Sequence, residues 1–112
     1  MNVSLNGFNE SMLTFSANEE IKVGAPVKIT NNNTVSACED GDAPVGFLVN
    51  QNGSVAGVMM TGYFEKTYSG EDITLGYAEI CADQNGDVKM GDGVKVIVTK
   101  VDTQNKTVGF IM

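Results

Sequence analysis

The side chains best suited to chemistry lie in a short acidic stretch, Asp83-Gln-Asn-Gly-Asp87. Its oxygen-bearing side chains stand at alternate positions, which is how the calcium-binding loop of an EF-hand begins. That loop needs a glycine where this chain has Val88 and a closing glutamate where it has Val94. A second acidic stretch, Glu39-Asp-Gly-Asp42, is interpreted in the same way. Both stretches are therefore predicted to be surface turns, and no metal site is expected.

The next stretch, Val88-Lys-Met-Gly91, bears a faint resemblance to the turn that carries the modified lysine of biotinyl and lipoyl carrier domains. In those domains the lysine directly follows a methionine or an acidic residue. Here Val88 precedes Lys89, and a glycine follows within two residues. We therefore expect no prosthetic group on Lys89, and no cofactor elsewhere in the chain.

The composition lacks most of the residues from which active sites are built. There is no histidine, which excludes Ser–His and Cys–His nucleophile pairs and the usual histidine zinc sites. The two cysteines, Cys38 and Cys81, lie in apolar strand-like runs and are predicted to be buried free thiols. Fourteen acidic residues leave room for a chance carboxylate pair, so a hydrolase is kept as a third hypothesis. No catalytic residue is predicted, and we expect a protein that is not an enzyme.

The charge balance argues against nucleic acid and membrane as partners. Fourteen acidic residues stand against seven lysines and give a formal net charge of −7. Such a surface repels phosphate backbones and anionic lipids, because their binding depends on lysine and arginine. No apolar run approaches the ~20 residues of a membrane span, and no basic head followed by an apolar run marks a signal peptide. We expect a soluble protein made in the cytoplasm and not secreted.

The elements that carry these residues are predicted to be short strands. The phrase Ile21-Lys-Val-Gly-Ala-Pro-Val-Lys-Ile29 is echoed by Val88-Lys-Met-Gly-Asp-Gly-Val-Lys-Val96. Each copy leads through a polar turn into a second apolar run, so each is predicted to form a turn, a strand, a hairpin loop and a strand. Asn52-Gly53 predicts another hairpin, and no segment has the 3.6-residue period of a helix. The sequence therefore predicts an all-β fold, a small antiparallel β-barrel or sandwich.

The chain is expected to form one barrel-like domain over residues 21–112, preceded by residues 1–20 as an extended N-terminal arm or as an edge strand at Met12 to Ser16. A long strand is predicted from Val55 to Phe64, and a loop from Glu65 to Thr74. Both faces of the long strand are apolar, so either sheets on both sides or a subunit contact must bury it. Apolar side chains of the arm and of this strand are the candidate protein-interface residues, namely Phe8, Met12, Leu13, Phe15, Met59, Met60, Tyr63 and Phe64.

The order of these motifs resembles the small β-rich head decoration proteins of tailed bacteriophages and prophages, which stabilise the capsid. The resemblance rests on Lys22-Val-Gly-Ala-Pro-Val-Lys-Ile29, on Asp40-Gly-Asp-Ala-Pro-Val-Gly46 and on the glycine-rich strand from Val55 to Gly62. It implies a non-catalytic β-barrel that is made in the bacterial cytoplasm and assembles as trimers or similar homo-oligomers on the capsid surface of the virion. It also implies that an N-terminal arm grips the major capsid protein, a role that would fall to residues 1–20.

A small carbohydrate- or ligand-binding β module is the alternative hypothesis. It requires a concave site lined by Tyr63, Tyr68 or Tyr77 together with nearby acidic side chains. The chain has no tryptophan, which weakens the signal for a sugar site. The positions of the three tyrosines therefore discriminate between this module and a protein-interaction module.

Overall fold

The computed structural model describes residues 11–112, and within that range the chain consists of β-strands joined by turns, with no helix. This confirms the all-β fold that the sequence predicted. The ten strands are β1 Ser11–Ala17, β2 Pro26–Asn31, β3 Thr34–Ala37, β4 Gly46–Asn52, β5 Val55–Thr61, β6 Tyr63–Ser69, β7 Gly76–Ala82, β8 Val88–Met90, β9 Val94–Asp102 and β10 Thr107–Ile111.

The strands form two closed five-stranded barrels. The first has the order β1-β3-β2-β4-β5, and the second has the order β6-β8-β7-β9-β10. Neighbouring strands are antiparallel except for one parallel pair in each barrel, β1 with β3 and β6 with β8. The predicted antiparallel barrel is therefore present, and it is present twice.

The two barrels repeat one topology. Replacing each strand of the first barrel by the strand five places later in the chain gives the order of the second. The fourth strand of each carries a bulge at one unpaired residue, Val49 in β4 and Thr99 in β9. The first pair beyond each bulge contains a glycine of the last strand, Gly57 or Gly109. The pairing registers therefore assign equivalent positions in the two barrels.

Each barrel closes around its own apolar core, because alternate side chains of a strand point to the same face of the sheet. Fully burying one such side chain stabilises the fold by roughly 1.5–3 kcal/mol. The first core is aliphatic and includes Val27, Val35, Leu48, Ala56 and Val58. The second core also contains aromatic rings and includes Phe64, Tyr68, Ile80, Val88, Val98 and Phe110.

Gly62 is the junction between the barrels. Its φ of 130° lies in a region that residues with a Cβ atom rarely adopt, so the chain turns there. The single strand predicted from Val55 to Phe64 is wrong for this reason, since β5 ends at Thr61 and β6 begins at Tyr63. The loop predicted from Glu65 to Thr74 is also wrong in its first half, where β6 continues to Ser69.

The hairpins predicted from turn motifs are confirmed. Asn33, at a φ of 52°, lies between β2 and β3, and Gly53, at a φ of 63°, lies between β4 and β5. The repeated phrase also forms hairpins in both of its copies, β2–β3 and β9–β10. These hairpins occupy different places, however, because the topological counterpart of β2–β3 is β7–β8. The two copies of the phrase therefore share a local pattern of turn and strand, but they do not lie at equivalent positions of the two barrels.

The strand expected at Met12 to Ser16 is present as β1. It pairs with β5 on one side and, near its end, with β3 on the other, so it is an internal strand of the barrel and not an edge strand. Phe8 and the rest of residues 1–10 lie outside the described residues, and the extended arm stays a prediction. The predicted boundary at residue 20 falls between β1 and β2 of the first barrel.

Candidate interaction surface

The contact between the barrels is built on Phe47. This residue lies on β4 of the first barrel but points away from that barrel's core and packs with the core of the second. Its ring centroid is 4.8 Å from that of Phe64 and 5.9 Å from that of Phe110. Tilted aromatic pairs at these distances stabilise by about 0.5–1.5 kcal/mol beyond the area that they bury. Phe47 thus covers the end of the second barrel, and it is only 1% exposed.

Lys66 adds a polar bond to the same contact. Its ammonium lies 4.7 Å from the centroid of the Phe47 ring and donates a hydrogen bond of 3.0 Å to the carbonyl oxygen of Gly24. Burial lowers the pKa of Lys66 below its ordinary value. A lysine of the second barrel therefore binds both a ring and a backbone oxygen of the first.

The acidic stretch 39–42 forms a second link between the barrels. The backbone N–H of Gly41 donates to the carbonyl oxygen of Ala82, and the N–H of Ala82 donates to that of Asp42, both at 2.8 Å. The ammonium of Lys89 lies 2.7 Å from a carboxylate oxygen of Asp40, and this hydrogen bond raises the pKa of Lys89. Lys89 lies within β8 and not at a hairpin tip, unlike the modified lysine of a carrier domain.

The predicted interface residues of β1 lie at the surface of the first barrel. Met12 is 55% exposed and Leu13 is 51% exposed, whereas Phe15 is half-buried against the first core. Leu13 points toward the inside of the barrel, because it pairs with the buried Val58. Its exposure therefore marks one end of the first barrel. Phe47 covers the corresponding end of the second barrel, but within residues 11–112 no side chain covers Leu13 in this way.

The predicted residues of the former long strand separate at Gly62. Met59 is half-buried against the second core, and Met60 is half-buried against the first. Phe64 is buried in the second core, so within the chain it is a core residue and not an exposed contact. Tyr63 is half-buried on the outside of the second barrel.

Tyr63 belongs to an apolar row that the sequence did not reveal. Pairing in register brings Tyr63, Ile111, Ile97 and Tyr77 side by side across four adjacent strands. These side chains point outward, because their chain neighbours Phe64, Phe110 and Val98 lie in the core. Tyr77 is 85% exposed and Ile97 is 42% exposed. We call these four residues the outer row. Only strand order unites them, so no local motif could have predicted the surface.

The Asp83 turn is built by its own hydrogen bonds. One carboxylate oxygen of Asp83 accepts the backbone N–H groups of Asn85 and Asp87, each at 2.8 Å, and the other accepts the Ser69 hydroxyl at 2.7 Å. Burial acts to raise the pKa of Asp83, but these hydrogen bonds outweigh it and hold the pKa below its ordinary value. The carboxylate is thus committed to the turn, and across residues 11–112 no three acidic or cysteine side chains converge on a metal position.

The three tyrosines do not form one concave site. Tyr68 is buried and donates a hydrogen bond of 2.9 Å to Asp72, whereas Tyr77 projects from the surface. Tyr63 borders a cavity of about 220 Å³ at the contact between the barrels. A larger open groove of about 460 Å³ is lined by residues 17–21, Val23, Gln51, Gly53 and Ser54. The side-chain amide of Gln51 in that groove is already bonded to the backbone of Ile21 and Glu19.

The two cysteines are free thiols, as predicted. Cys81 is buried, and Cys38 is half-buried. Burial raises the pKa of Cys38 to about 12, and it also raises the pKa of Cys81. Both thiols are therefore protonated at neutral pH, the form that is a poor nucleophile and a poor metal ligand.

Comparison with protein-family models and with curated proteins returns no match. No protein-family model matches the chain, and no curated protein matches it significantly. Residues 11–112 contain no helix with the length and apolar character needed to cross a membrane. Function must therefore be argued from the surfaces that the two barrels present.

Proposed function

We propose that this protein is a non-catalytic structural protein that decorates or stabilises a phage or prophage capsid through protein–protein contacts. The proposal unites the motif resemblance with one structural observation, the exposed apolar side chains Met12 and Leu13 at the start of β1. Two barrels held together by Phe47 form a module with apolar residues on outward faces and at one barrel end. Clustered apolar surface of this kind is typical of protein-contact sites.

The partner that the resemblance implies is the major capsid protein, and the surface suited to it on the first barrel is the start of β1. Met12 points outward there and is 55% exposed. The net charge of −7 suits a protein that stays on the shell and does not bind the packaged genome.

The test is cosedimentation of the purified protein with shells of the major capsid protein encoded in the same genome. We expect saturable binding and regular density on the shell by electron microscopy. Met12→Asp should weaken shell binding by at least about tenfold, because it places a charge in an apolar contact. Val55→Asp, at a position of similar exposure on β5, is the matched control and should bind normally.

Absence of binding by the unaltered protein would contradict the capsid role. A glycan screen on the same preparation then tests the carbohydrate-binding hypothesis. Binding to a glycan, with weakening by a substitution of Glu19 or Glu20 in the open groove, would replace the proposed function.

A further inference from the structure

The repeated topology of the barrels gives the outer row a counterpart in the first barrel. There, Met12, Met59, Phe47 and Pro26 are paired in register across β1, β5, β4 and β2. We call these four residues the joining row. Each of its members occupies the position that Tyr63, Ile111, Ile97 and Tyr77, respectively, occupy in the second barrel. The joining row and the outer row are thus one surface present twice.

Two residues of the joining row, Phe47 and Met59, are already covered within the chain, whereas Met12 stays exposed. Phe47 and Met59 pack against the end of the second barrel where Phe64 and Phe110 form a cross-strand pair. Phe64 is buried as a result. Within the chain, residues of this row therefore pack on the end of a barrel of the same topology.

The first barrel has the same end, and among the described residues this end is exposed at Leu13 but not at Val58. The pair Leu13–Val58 occupies the place that the pair Phe64–Phe110 occupies in the second barrel. Leu13 is 51% exposed, whereas its counterpart Phe64 is 6% exposed. We call the surface around Leu13 the open end. Residues 11–112 therefore present one exposed row and one barrel end that is exposed at Leu13.

We propose that the protein associates with a second copy of itself head to tail, with the outer row of one copy covering the open end of the next. In this arrangement Ile97 stands over Leu13 as Phe47 stands over Phe64 within the chain. The contact joins two different surfaces, so repetition of it generates either a closed ring or an open filament. The inference follows from the equivalence of the barrels and does not rest on the proposed capsid role.

The test measures the mass of the protein in solution by light scattering and sedimentation over about a hundredfold range of concentration. We expect the mean mass to rise with concentration in the absence of any shell. Ile97→Asp places a charge in the outer row, and Leu13→Asp places a charge in the open end. Each substitution should raise the dissociation constant of self-association by at least about tenfold. Val23→Asp, at an exposed position outside both surfaces, is the control and should associate like the unaltered chain.

Mixing the two defective variants discriminates a head-to-tail contact from a symmetric one. The Leu13→Asp copy keeps its row and the Ile97→Asp copy keeps its open end, so the mixture should form dimers and nothing larger. Tyr77→Asp, at an 85% exposed position of the row, repeats the experiment if Ile97→Asp lowers the melting temperature.

Three results would overturn the inference. They are a monomer at every concentration, association of Leu13→Asp equal to that of the unaltered chain, and a mixture that stays monomeric. Because no shell is present, these results are independent of the capsid-binding experiment. Self-association without shell binding removes only the proposed function, and shell binding by a monomer removes only this inference.

Discussion

At the scale of single residues, Asp83 is the acidic side chain that is buried within residues 11–112. It is 3% exposed, and its charge is stabilised by two backbone N–H groups and a hydroxyl. Carboxylates with such donors keep their charge at lower pH than a free aspartate does. The side chain that looked most like a metal ligand in the sequence therefore stabilises a turn.

Asp83→Asn should reduce the free energy of unfolding by about 1–2 kcal/mol at pH 7, because a charged acceptor is lost. The pKa of Asp83 is lower in the folded protein than in the unfolded chain. Its contribution is therefore fully present above the unfolded pKa of about 4 and is lost as the pH falls through the folded value. Urea unfolding from pH 7 to pH 2.5 or so should show the gap between the proteins closing. Asp92→Asn, in an exposed turn, is the control, and an unchanged gap in acid would contradict the assignment.

Cys38 should be nearly inert in the folded protein. Its pKa is raised from 9.0 to about 12, which lowers its thiolate fraction at neutral pH by about three orders of magnitude. We expect Ellman's reagent to modify it slowly in buffer and rapidly in denaturant. The Cys81→Ser variant isolates the signal of Cys38, and rapid modification of its folded form would show that the thiol is accessible.

Residue types alone predicted part of this local chemistry. The apolar neighbours of the two cysteines pointed to free thiols, which the structure contains. The sequence could not predict the exposure of Leu13 or the burial of Phe64, although both were chosen as apolar contacts. Those exposures depend on whether a row from another barrel lies over each side chain, and no local pattern carries that information.

At the scale of elements, glycines set how closely strands approach. A Cβ atom added at Gly46 of β4 would lie 2.5 Å from the carbonyl oxygen of Met59 and 2.8 Å from Cγ1 of Val58. A Cβ atom added at Gly57 of β5 would lie 2.6 Å from the side-chain oxygen of Asn50, an exposed residue. A Cβ atom at Gly46 would therefore collide with backbone, whereas a Cβ atom at Gly57 would collide only with the end of a side chain.

Gly46→Ala should therefore destabilise the protein by about 1–3 kcal/mol, since the backbone of β5 must move. Gly57→Ala should cost less than about 1 kcal/mol, because Asn50 adopts another rotamer and alanine suits a strand better than glycine does. Both values follow from thermal or urea unfolding. Equal costs for the two variants would show that the strands are not packed as described.

Element prediction succeeded where turn residues and alternation agreed. Asn33 and Gly53 adopt the positive φ angles of their hairpins, as their residue types suggested. β6 was missed because Glu65, Lys66 and Thr67 look like a loop in isolation. They form a strand because Phe64 and Tyr68 point into the second core, so tertiary burial overrides local polarity.

At the scale of the whole molecule, stability depends on the joining of the barrels. Phe47→Ala should lower the free energy of unfolding by about 3–5 kcal/mol, because it empties a buried aromatic contact. Ile97→Ala changes the equivalent position of the second barrel, where the side chain is 42% exposed, and should cost about 1 kcal/mol or less. Both are compared by urea unfolding at a dilution that disfavours self-association.

The Phe47 variant should also unfold with less cooperativity. This would be seen as a weaker dependence of the free energy of unfolding on urea concentration, or as two separate transitions. Loss of stability no greater than that of Ile97→Ala would contradict the role of Phe47.

The sequence predicted one barrel because the two copies of its repeated phrase do not lie at equivalent places in the two barrels. The duplication itself is visible only in strand order, since equivalent positions carry residues as different as Phe47 and Ile97.

Each barrel is made of consecutive strands, and this has a consequence during synthesis. When Thr61 has left the ribosome, every strand of the first barrel is available and that barrel has all of its own partners. Phe47 has none, because Phe64 and Phe110 are still to come. A first barrel that forms at this stage therefore exposes the apolar side chains of Phe47 and Met59 until translation of β10 is complete. Crowded ribosomes on one message would hold several such exposed side chains close together.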